Sequence, residues 1–355
     1  MPDHPANPLS ADLQHVLTHT TDLWEELRGQ RVFVTGGTGF VGSWLLESFT
    51  WAYDVLGMDA EAVVLTRRPA AFRSIAPHVA GHPAVRLIEG DVRTFMFPET
   101  ACAYVIHAAA DVATGRAPGD PLAMLDTGVM GTRRVLEYAR RSGARKLLFV
   151  SSGAVYGRQP PSISHVSEEY VGGPKATDPG STYGEAKRVG ELMCVLEGRR
   201  SSFEAKIARG FAFVGPYLPT NERFAIGNFV RDALQGGPVR VNGDGTPRRS
   251  YLYAADLAIW LWTILFRGAP ARAYNVGSSV DVSVADIASL VASSVTPEAQ
   301  VVIEQKPSSA AAMHQYVPDT RRAYDELGLR ERIDLRESVI RTLAWHRRIA
   351  AARTT

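Results

Sequence analysis

Residues 35–42 read Thr-Gly-Gly-Thr-Gly-Phe-Val-Gly, directly after the apolar run Val32–Val34 and opening the amphipathic stretch Val41–Asp54. A glycine-rich turn between a buried strand and a helix lets the chain turn tightly. It also brings bare backbone and the free amides of the helix N-terminus close to an anion. In this setting Gly36, Thr38, Gly39, Phe40, Val41 and Gly42 fit the pyrophosphate of a dinucleotide, whereas the same glycines elsewhere are an ordinary turn.

The alternation continues downstream. Apolar runs at Ala62–Leu65, Val85–Ile88, Tyr104–Ile106, Lys146–Val150 and Ala205–Ala208 alternate with helical stretches such as Leu122–Arg141 and Tyr183–Glu197. Short Val/Ile/Leu-rich runs separated by helices predict a doubly wound parallel sheet covered on both faces, here over residues 30–208. Residues 1–29 form a helical N-terminal extension, with Ser10 expected to cap a helix through Leu27 and Gly29 to end it. Past Arg209, prolines and glycines punctuate shorter elements, and helices are expected at Ala255–Phe266, Val284–Val291 and Ile333–Arg348. Residues 209–355 thus read as a smaller α/β lobe for substrate, some of whose elements return to the first domain.

Charge narrows the partners. In 355 residues, 39 Lys+Arg face 37 Asp+Glu, which leaves no concentrated basic surface for nucleic acid or an anionic membrane. Cys102 and Cys194 read as reduced core thiols, or at most one bridge, and no Cys/His cluster points to a metal. Met1–Ser10 has no apolar stretch of a signal peptide, and Leu257–Phe266 is too short to span a bilayer, so a cytoplasmic location is expected.

The second strand ends Leu65-Thr66-Arg67-Arg68 with no carboxylate. An acidic residue there binds a ribose 2′-hydroxyl, whereas two guanidiniums can clamp a 2′-phosphate. Arg67 and Arg68 therefore favour NADP, with NAD possible and solvent-facing loop charges the alternative. Asp91 and Val92, after the third strand, suit adenine contact or a plain turn. The small residues Ala108, Ala109 and Ala110 after His107 let backbone approach the cofactor, or simply pack a strand end.

Tyr183 and Lys187 are four apart and share a helix face. A phenol with an ordinary pKa near 10 is a poor base, and a neighbouring ammonium is expected to lower it. Tyr183 can then exchange a proton with a substrate hydroxyl while a nicotinamide exchanges hydride with the same carbon. The alternative is a surface helix contact. Ser152, in Val150-Ser151-Ser152-Gly153-Ala154-Val155-Tyr156-Gly157, ends the fifth strand and can hydrogen-bond the reacting oxygen.

With these motifs in this order, the chain resembles the extended short-chain dehydrogenase/reductase family, in its nucleotide-sugar epimerase, dehydratase and reductase branch. The resemblance rests on Thr35–Gly42, Asp91, His107–Ala110, Ser151–Gly157, Tyr183–Lys187, Arg209–Pro216 and Arg249–Asp256. It implies a Rossmann domain, a C-terminal nucleotide-sugar lobe and a catalytic set of Ser152, Tyr183 and Lys187, with Lys187 also on the nicotinamide ribose. Ser152, Gly153, Tyr183, Asn228 and Arg249 fall on substrate positions, Arg249 matching the diphosphate-binding arginine. Asp256 is expected to cap or charge the first turn of its own helix. A homodimer through helices near 121–142 and 182–198 is also implied.

Departures from the family pattern shape the expected activity. Dehydratases of the branch carry acidic residues where this chain has Gly153 and Ala154, and the related decarboxylases carry a glutamate at the second position. Gly128 and Ala212 stand where the family often has asparagine. The leading expectation is an NADPH-dependent reductase of a 4-keto nucleotide-diphosphate hexose, with Tyr183 as proton donor. The alternative is a 4-epimerase that retains its cofactor. Dehydration, decarboxylation and a non-catalytic nicotinamide-nucleotide sensor rank lower.

Overall fold

The computed structural model describes residues 7–110, 120–220, 224–306 and 314–352. Its first half alternates strand and helix: β1 (Gln30–Thr35), α2 (Phe40–Leu56), β2 (Ala60–Thr66), α3 (Pro69–Ile75), α4 (Pro77–Ala80), β3 (Val85–Glu89), β4 (Tyr104–His107), α5 (Pro121–Arg141), β5 (Lys146–Ser152), α6 (Thr182–Arg200) and β6 (Glu204–Gly210), preceded by α1 (Ser10–Thr20). These strands and β11 (Ala273–Val276) form one parallel sheet of order β11-β6-β5-β4-β1-β2-β3.

Side-chain alternation builds both faces of that sheet. Val32 and Val34 point into a core shared with α1, α2 and α8 (Ala254–Arg267), while Phe33 points into a core under α5 with Val105, Leu147 and Phe149. The strand order reverses between β1 and β4. Their carboxyl ends therefore lie side by side, with Thr35 opposite His107, at the switch point where open α/β sheets form their ligand crevice.

The N-terminal extension belongs to this core. Leu9, Leu13, Val16, Leu17, Leu23, Trp24 and Leu27 are buried, and the Trp24 ring lies 4.9 Å from that of Trp262 on α8. Two expectations are corrected here. Ser10 does not cap α1: it lies inside the first turn, the capping position is Leu9, and the Asn7 side chain accepts the Leu9 N–H at 2.9 Å. The helix also does not run unbroken to Leu27. Thr20 and Thr21 turn their hydroxyls back to the Val16 and Leu17 carbonyls, both at 2.7 Å, and the chain tightens into a 3₁₀ turn over Thr21–Leu27.

The second half supplies β7 (Phe213–Val214), α7 (Ala225–Leu234), β8 (Val239–Val241), β9 (Arg248–Ser250), β10 (Leu252–Tyr253), β12 (Asp281–Ser283), α9 (Val284–Ser293), β13 (Val301–Ile303), β14 (Gln315–Tyr316), α10 (Arg321–Leu327) and α11 (Leu335–Ala352). Its small sheet β12-β9-β14 sets Tyr316 in register with Arg249. The Asp256 carboxylate, fully buried in the first turn of α8, works away from its own helix. It accepts the N–H groups of Arg332 and Ile333 at 2.8 and 3.0 Å and lies 3.3 Å from His15 Nε2. It thus ties the extension and the approach to α11 onto α8, rather than capping. Cys102 and Cys194 are both free and buried. Among the described residues no helix is long and apolar enough to cross a membrane, and no cluster of metal-ligating side chains occurs.

Candidate functional site

The glycine positions in the crevice are set by backbone crossing backbone. Gly36 has φ +72°, and a Cβ there would lie 2.5 Å from Ala108 C and Ala109 N; one at Gly42 would lie 2.3 Å from Gly36 O. The loops after β1 and β4 and the start of α2 therefore meet with no room for side chains. Gly39 caps α2, and the amides of Phe40 and Val41 belong to the first turn, which has no intrahelical acceptors for them. A cradle that a Cβ would fill, at a helix N-terminus, fits the pyrophosphate of a dinucleotide.

A buried relay holds the Ala109 side of the cradle. The Ala109 N–H donates to Thr35 Oγ1 at 3.3 Å, Thr35 Oγ1 lies 2.7 Å from His107 Nδ1, and His107 Nε2 lies 3.0 Å from Thr132 Oγ1. Thr132 spends its only proton on the Gly128 carbonyl at 2.6 Å, so its oxygen accepts from Nε2–H. Nδ1 then accepts from Thr35. Burial, with the Lys187 charge adding to it, lowers His107 to about 3 and keeps it neutral. The side chain of His107 thus supports the site from below, a role the sequence did not announce.

Thr66 ends β2, its Oγ1 3.3 Å from Thr38 Oγ1 and accepting the Arg68 N–H at 3.3 Å. Exposed Arg67 and Arg68 line an open cavity of about 530 Å³ together with Arg73 and Glu89. Arg73 joins this group because α3 folds back after Pro69. Asp91 is already engaged: Oδ1 accepts the Arg93 backbone N–H at 2.8 Å and its Nε at 2.9 Å, and Oδ2 accepts Nη2 at 2.9 Å. These bonds from Arg93 hold its carboxyl below the usual range. Val92 packs against α5, where a Cβ on Gly131 would lie 2.8 Å from it. Ala110 ends the described stretch after β4.

At the far side of the crevice, β5 delivers Ser152, whose Oγ accepts the Ala154 N–H at 3.1 Å. Tyr183 and Lys187 share a face of α6, with Lys187 Nζ 5.9 Å from the Tyr183 ring centroid and 4.9 Å from that of Phe149. Lys187 donates to the Val150 carbonyl at 2.7 Å, and burial lowers it to about 8. The expected lowering of the Tyr183 phenol by Lys187 is not seen in the chain alone. Burial raises the phenol, and the opposing contribution is its hydrogen bond with Ser152. The physical reason is that the ammonium is directed at a carbonyl and an aromatic face instead.

Beneath the serines lies a buried ion pair that sequence reasoning missed. Glu191, one helical turn past Lys187, accepts from Ser151 Oγ at 2.6 Å and from Arg209 Nε and Nη2 at 2.9 and 2.6 Å. Arg209 Nη1 donates to Tyr156 Oη at 2.9 Å, and Tyr156 donates to Asn275 at 2.7 Å. A glutamate at helical spacing on the face that carries Lys187 was the available signal. Tyr316 was also missed and had no local signal, since only β14 pairing beside β9 brings it to Ser152, 3.4 Å away.

The substrate positions divide. Gly153 is buried, and a Cβ there would lie 2.8 Å from the Phe211 ring and 2.8 Å from Tyr316 Oη, which explains why no acid stands at this position. The Arg249 guanidinium donates to the Arg248 carbonyl at 2.8 Å; burial raises the Tyr316 phenol, and Arg249 lies close enough for its charge to oppose that rise, so it belongs to the Ser152–Tyr183 side. Asn228 sits on α7, where its side-chain oxygen accepts from Arg231 at 3.0 Å. From Arg67 to Ser152 the residues thus span the carboxyl edge of β2, β1, β4 and β5 in spatial order.

A family model described as the NAD dependent epimerase/dehydratase family matches residues 32–277, from β1 through β11. The chain belongs to that family. It is 31% identical over 315 residues to UDP-glucuronic acid decarboxylase 1 of Arabidopsis thaliana, covering 88% of this chain and 69% of that protein. Among solved structures it is similar to the epimerase Mth375 of Methanothermobacter thermautotrophicus, with TM-score 0.80 and 24% identity over 96% of this chain and 98% of the other. It is also similar to a UDP-galactose 4-epimerase, with TM-score 0.72 and 26% identity over 90% of this chain and 99% of that one.

Proposed function

We propose that the chain is a nucleotide-sugar 4-epimerase that retains its nicotinamide cofactor. The family described above is NAD dependent, and the names of the decarboxylase and 4-epimerase relatives both refer to UDP sugars. When bound, the nicotinamide supplies the acceptor and donor of hydride for the sugar carbon. Tyr183 Oη takes and returns the proton of the sugar hydroxyl, Ser152 orients that oxygen, and Lys187 stands behind the phenol. Arg249 offers a guanidinium to the diphosphate. Gly153 and Ala154 leave Tyr183 without an acidic partner there, which favours plain hydride chemistry, and the similarity to a UDP-galactose 4-epimerase is the observation that supports epimerisation within it. Water loss needs such an acid and base, and Ala154 counts against the decarboxylase activity named for the relative.

The test is to incubate the purified protein with UDP-glucose, UDP-galactose and the corresponding UDP-uronates, with no cofactor added, and to resolve the products by chromatography. Interconversion of a 4-epimeric pair with nucleotide still bound is expected. NADPH consumed in proportion to a 4-keto sugar would overturn it in favour of a reductase.

That second reading is favoured by one observation, the cavity formed by Arg67, Arg68 and Arg73. Charge-assisted bonds to a 2′-phosphate from two exposed, solvent-screened guanidiniums contribute about 1.5–3 kcal/mol together. Replacing Arg67 and Arg68 by alanine is therefore expected to weaken NADPH about 10–100-fold and NADH far less, by fluorescence titration. Equal losses would remove the phosphate clamp. A homodimer through α5 and α6 is supported by the exposed Leu122, Met130, Leu192 and Leu196 on those helices.

A further inference from the structure

Two guanidiniums converge on His314, just before β14. Arg158 Nη2 lies 3.4 Å from His314 Nε2, and Arg249 Nη1 lies 3.4 Å from the His314 carbonyl oxygen. Strand alternation separates Arg249 from its neighbour. Arg248 is ion-paired with Asp281 on β12, whereas Arg249 Nη1 donates to backbone carbonyls. Among the described residues, neither Arg158 nor Arg249 has a carboxylate at ion-pair distance. The Asp244 carboxylate near His314 is engaged by the Thr246 N–H and hydroxyl at 3.0 and 2.8 Å.

The chain on either side of Arg158 fixes it there. Gly157 turns the backbone at φ +69°, where a Cβ would lie 2.4 Å from the Gly173 carbonyl oxygen. Buried Gln159 then donates to the Ile163 and Ser164 carbonyls at 2.7 and 2.9 Å and accepts the Val317 N–H at 3.0 Å. From the other side, the Arg248 N–H donates to the His314 carbonyl at 2.8 Å. Exposed Arg158 thus stands on backbone tied to the same strand as Arg249.

We propose that Arg158 is a substrate-binding residue, which with Arg249 grips the diphosphate of the nucleotide sugar beside the ring that reacts at Ser152 and Tyr183. The proposal rests on the nucleotide-sugar reading above and adds Arg158 to it. Tyr316 Oη lies 3.4 Å from Ser152 Oγ, and His314 precedes Tyr316 by two residues of strand-paired chain. Alternate residues of a strand share a face, about 7 Å apart along the backbone. A hexopyranose held by its 4-hydroxyl at Ser152 places its anomeric diphosphate at about that span. The 6-carboxylate of a uronate, two carbons from the reacting one, falls short of it. Two guanidiniums suit the anion that does reach, since each can offer parallel N–H donors to phosphate oxygens.

The test is Arg158→Gln in the purified full chain, with affinities for UDP-glucose, UDP, UDP-glucuronate and uridine measured by calorimetric titration. UDP-glucose and UDP are expected to weaken alike, by about 3–10-fold for a charge contact partly screened by solvent, and uridine not at all. UDP-glucose unmoved, or uridine weakened equally, overturns the proposal. So does a loss confined to UDP-glucuronate, which would make Arg158 a reader of the 6-carboxylate. UDP bound no better than uridine by the unaltered protein overturns it as well. The two readings fail separately. Binding that depends on Arg158, with no interconversion of any UDP sugar, supports the diphosphate contact and sinks the epimerase. Interconversion with UDP-glucose affinity unmoved by Arg158→Gln does the reverse.

Discussion

Tyr183→Phe is expected to lower turnover of a UDP-hexose by about 100–10,000-fold, the usual span of a positioned proton-transfer group. Affinity for the nicotinamide nucleotide should change little. The Oη is the only atom removed, and the cradle of Gly36, Gly42 and Ala108–Ala109 lies across the crevice on β1 and β4. The phenol in the chain alone is raised by burial, opposed by Ser152. Its deprotonation therefore depends on what occupies the crevice and on how Lys187, presently donating to the Val150 carbonyl, is redirected. Single-turnover kinetics and nucleotide titration on the same preparation measure the two effects separately. Unchanged turnover would remove Tyr183 from the mechanism.

Glu191→Ala is expected to cost about 3–5 kcal/mol of stability, because it strands the Arg209 guanidinium in a largely buried site. The pair is tightly enclosed, with side-chain exposures of 17% for Arg209 and 11% for Glu191. The loss is also structural in a directed way. Glu191 joins β5 through Ser151, β6 through Arg209 and, through Tyr156 and Asn275, the strand β11 that arrives from the second half of the chain. Urea denaturation should show a lower midpoint with little change in slope. Replacing both partners with apolar residues of similar volume should recover much of that stability, since no charge is then left unpaired. A cost below about 1 kcal/mol for Glu191→Ala would show that water reaches Arg209 and that the pair behaves as a surface bridge.

Much of this was legible along the chain because the relevant forces act locally. The alternation of Val32–Val34 with the amphipathic stretch after it, repeated at Tyr104–Ile106 with Leu122–Arg141 and at Lys146–Val150 with Tyr183–Glu197, specifies strand and helix through side-chain direction alone. Tyr183 and Lys187 share a face because helical geometry puts residues four apart together. The glycines at 36 and 42 were recognisable from their place between β1 and α2, and the structure adds the reason. The obstruction at Gly36 is the backbone of Ala108 and Ala109, far along the chain.

Other features had no local signature. Ser10 looked like a cap because capping propensity is a property of residue type, whereas the helix start was decided by where Leu9 and Leu13 could bury. Asp256 is a first-turn charge as its position suggests, but its hydrogen-bonding partners come from Arg332, Ile333 and His15, from both ends of the chain. The electrostatics of Tyr183 were misjudged for the same reason. Sequence spacing placed an ammonium nearby but did not say which acceptor it would face.

The sequence by itself determined the doubly wound sheet, the glycine-rich turn after the first strand and the shared helix face of Tyr183 and Lys187, since each is written in periodicity or in short spacing. Only the tertiary structure decided that Arg73 joins Arg67 and Arg68, that Glu191 and Arg209 pair beneath the serines, and that Tyr316 stands over Ser152 beside Gly153. Those contacts join residues distant in the chain. They depend on how the sheet orders its strands and where β14 lands beside β9, which only the global balance of buried surface and hydrogen bonding decides.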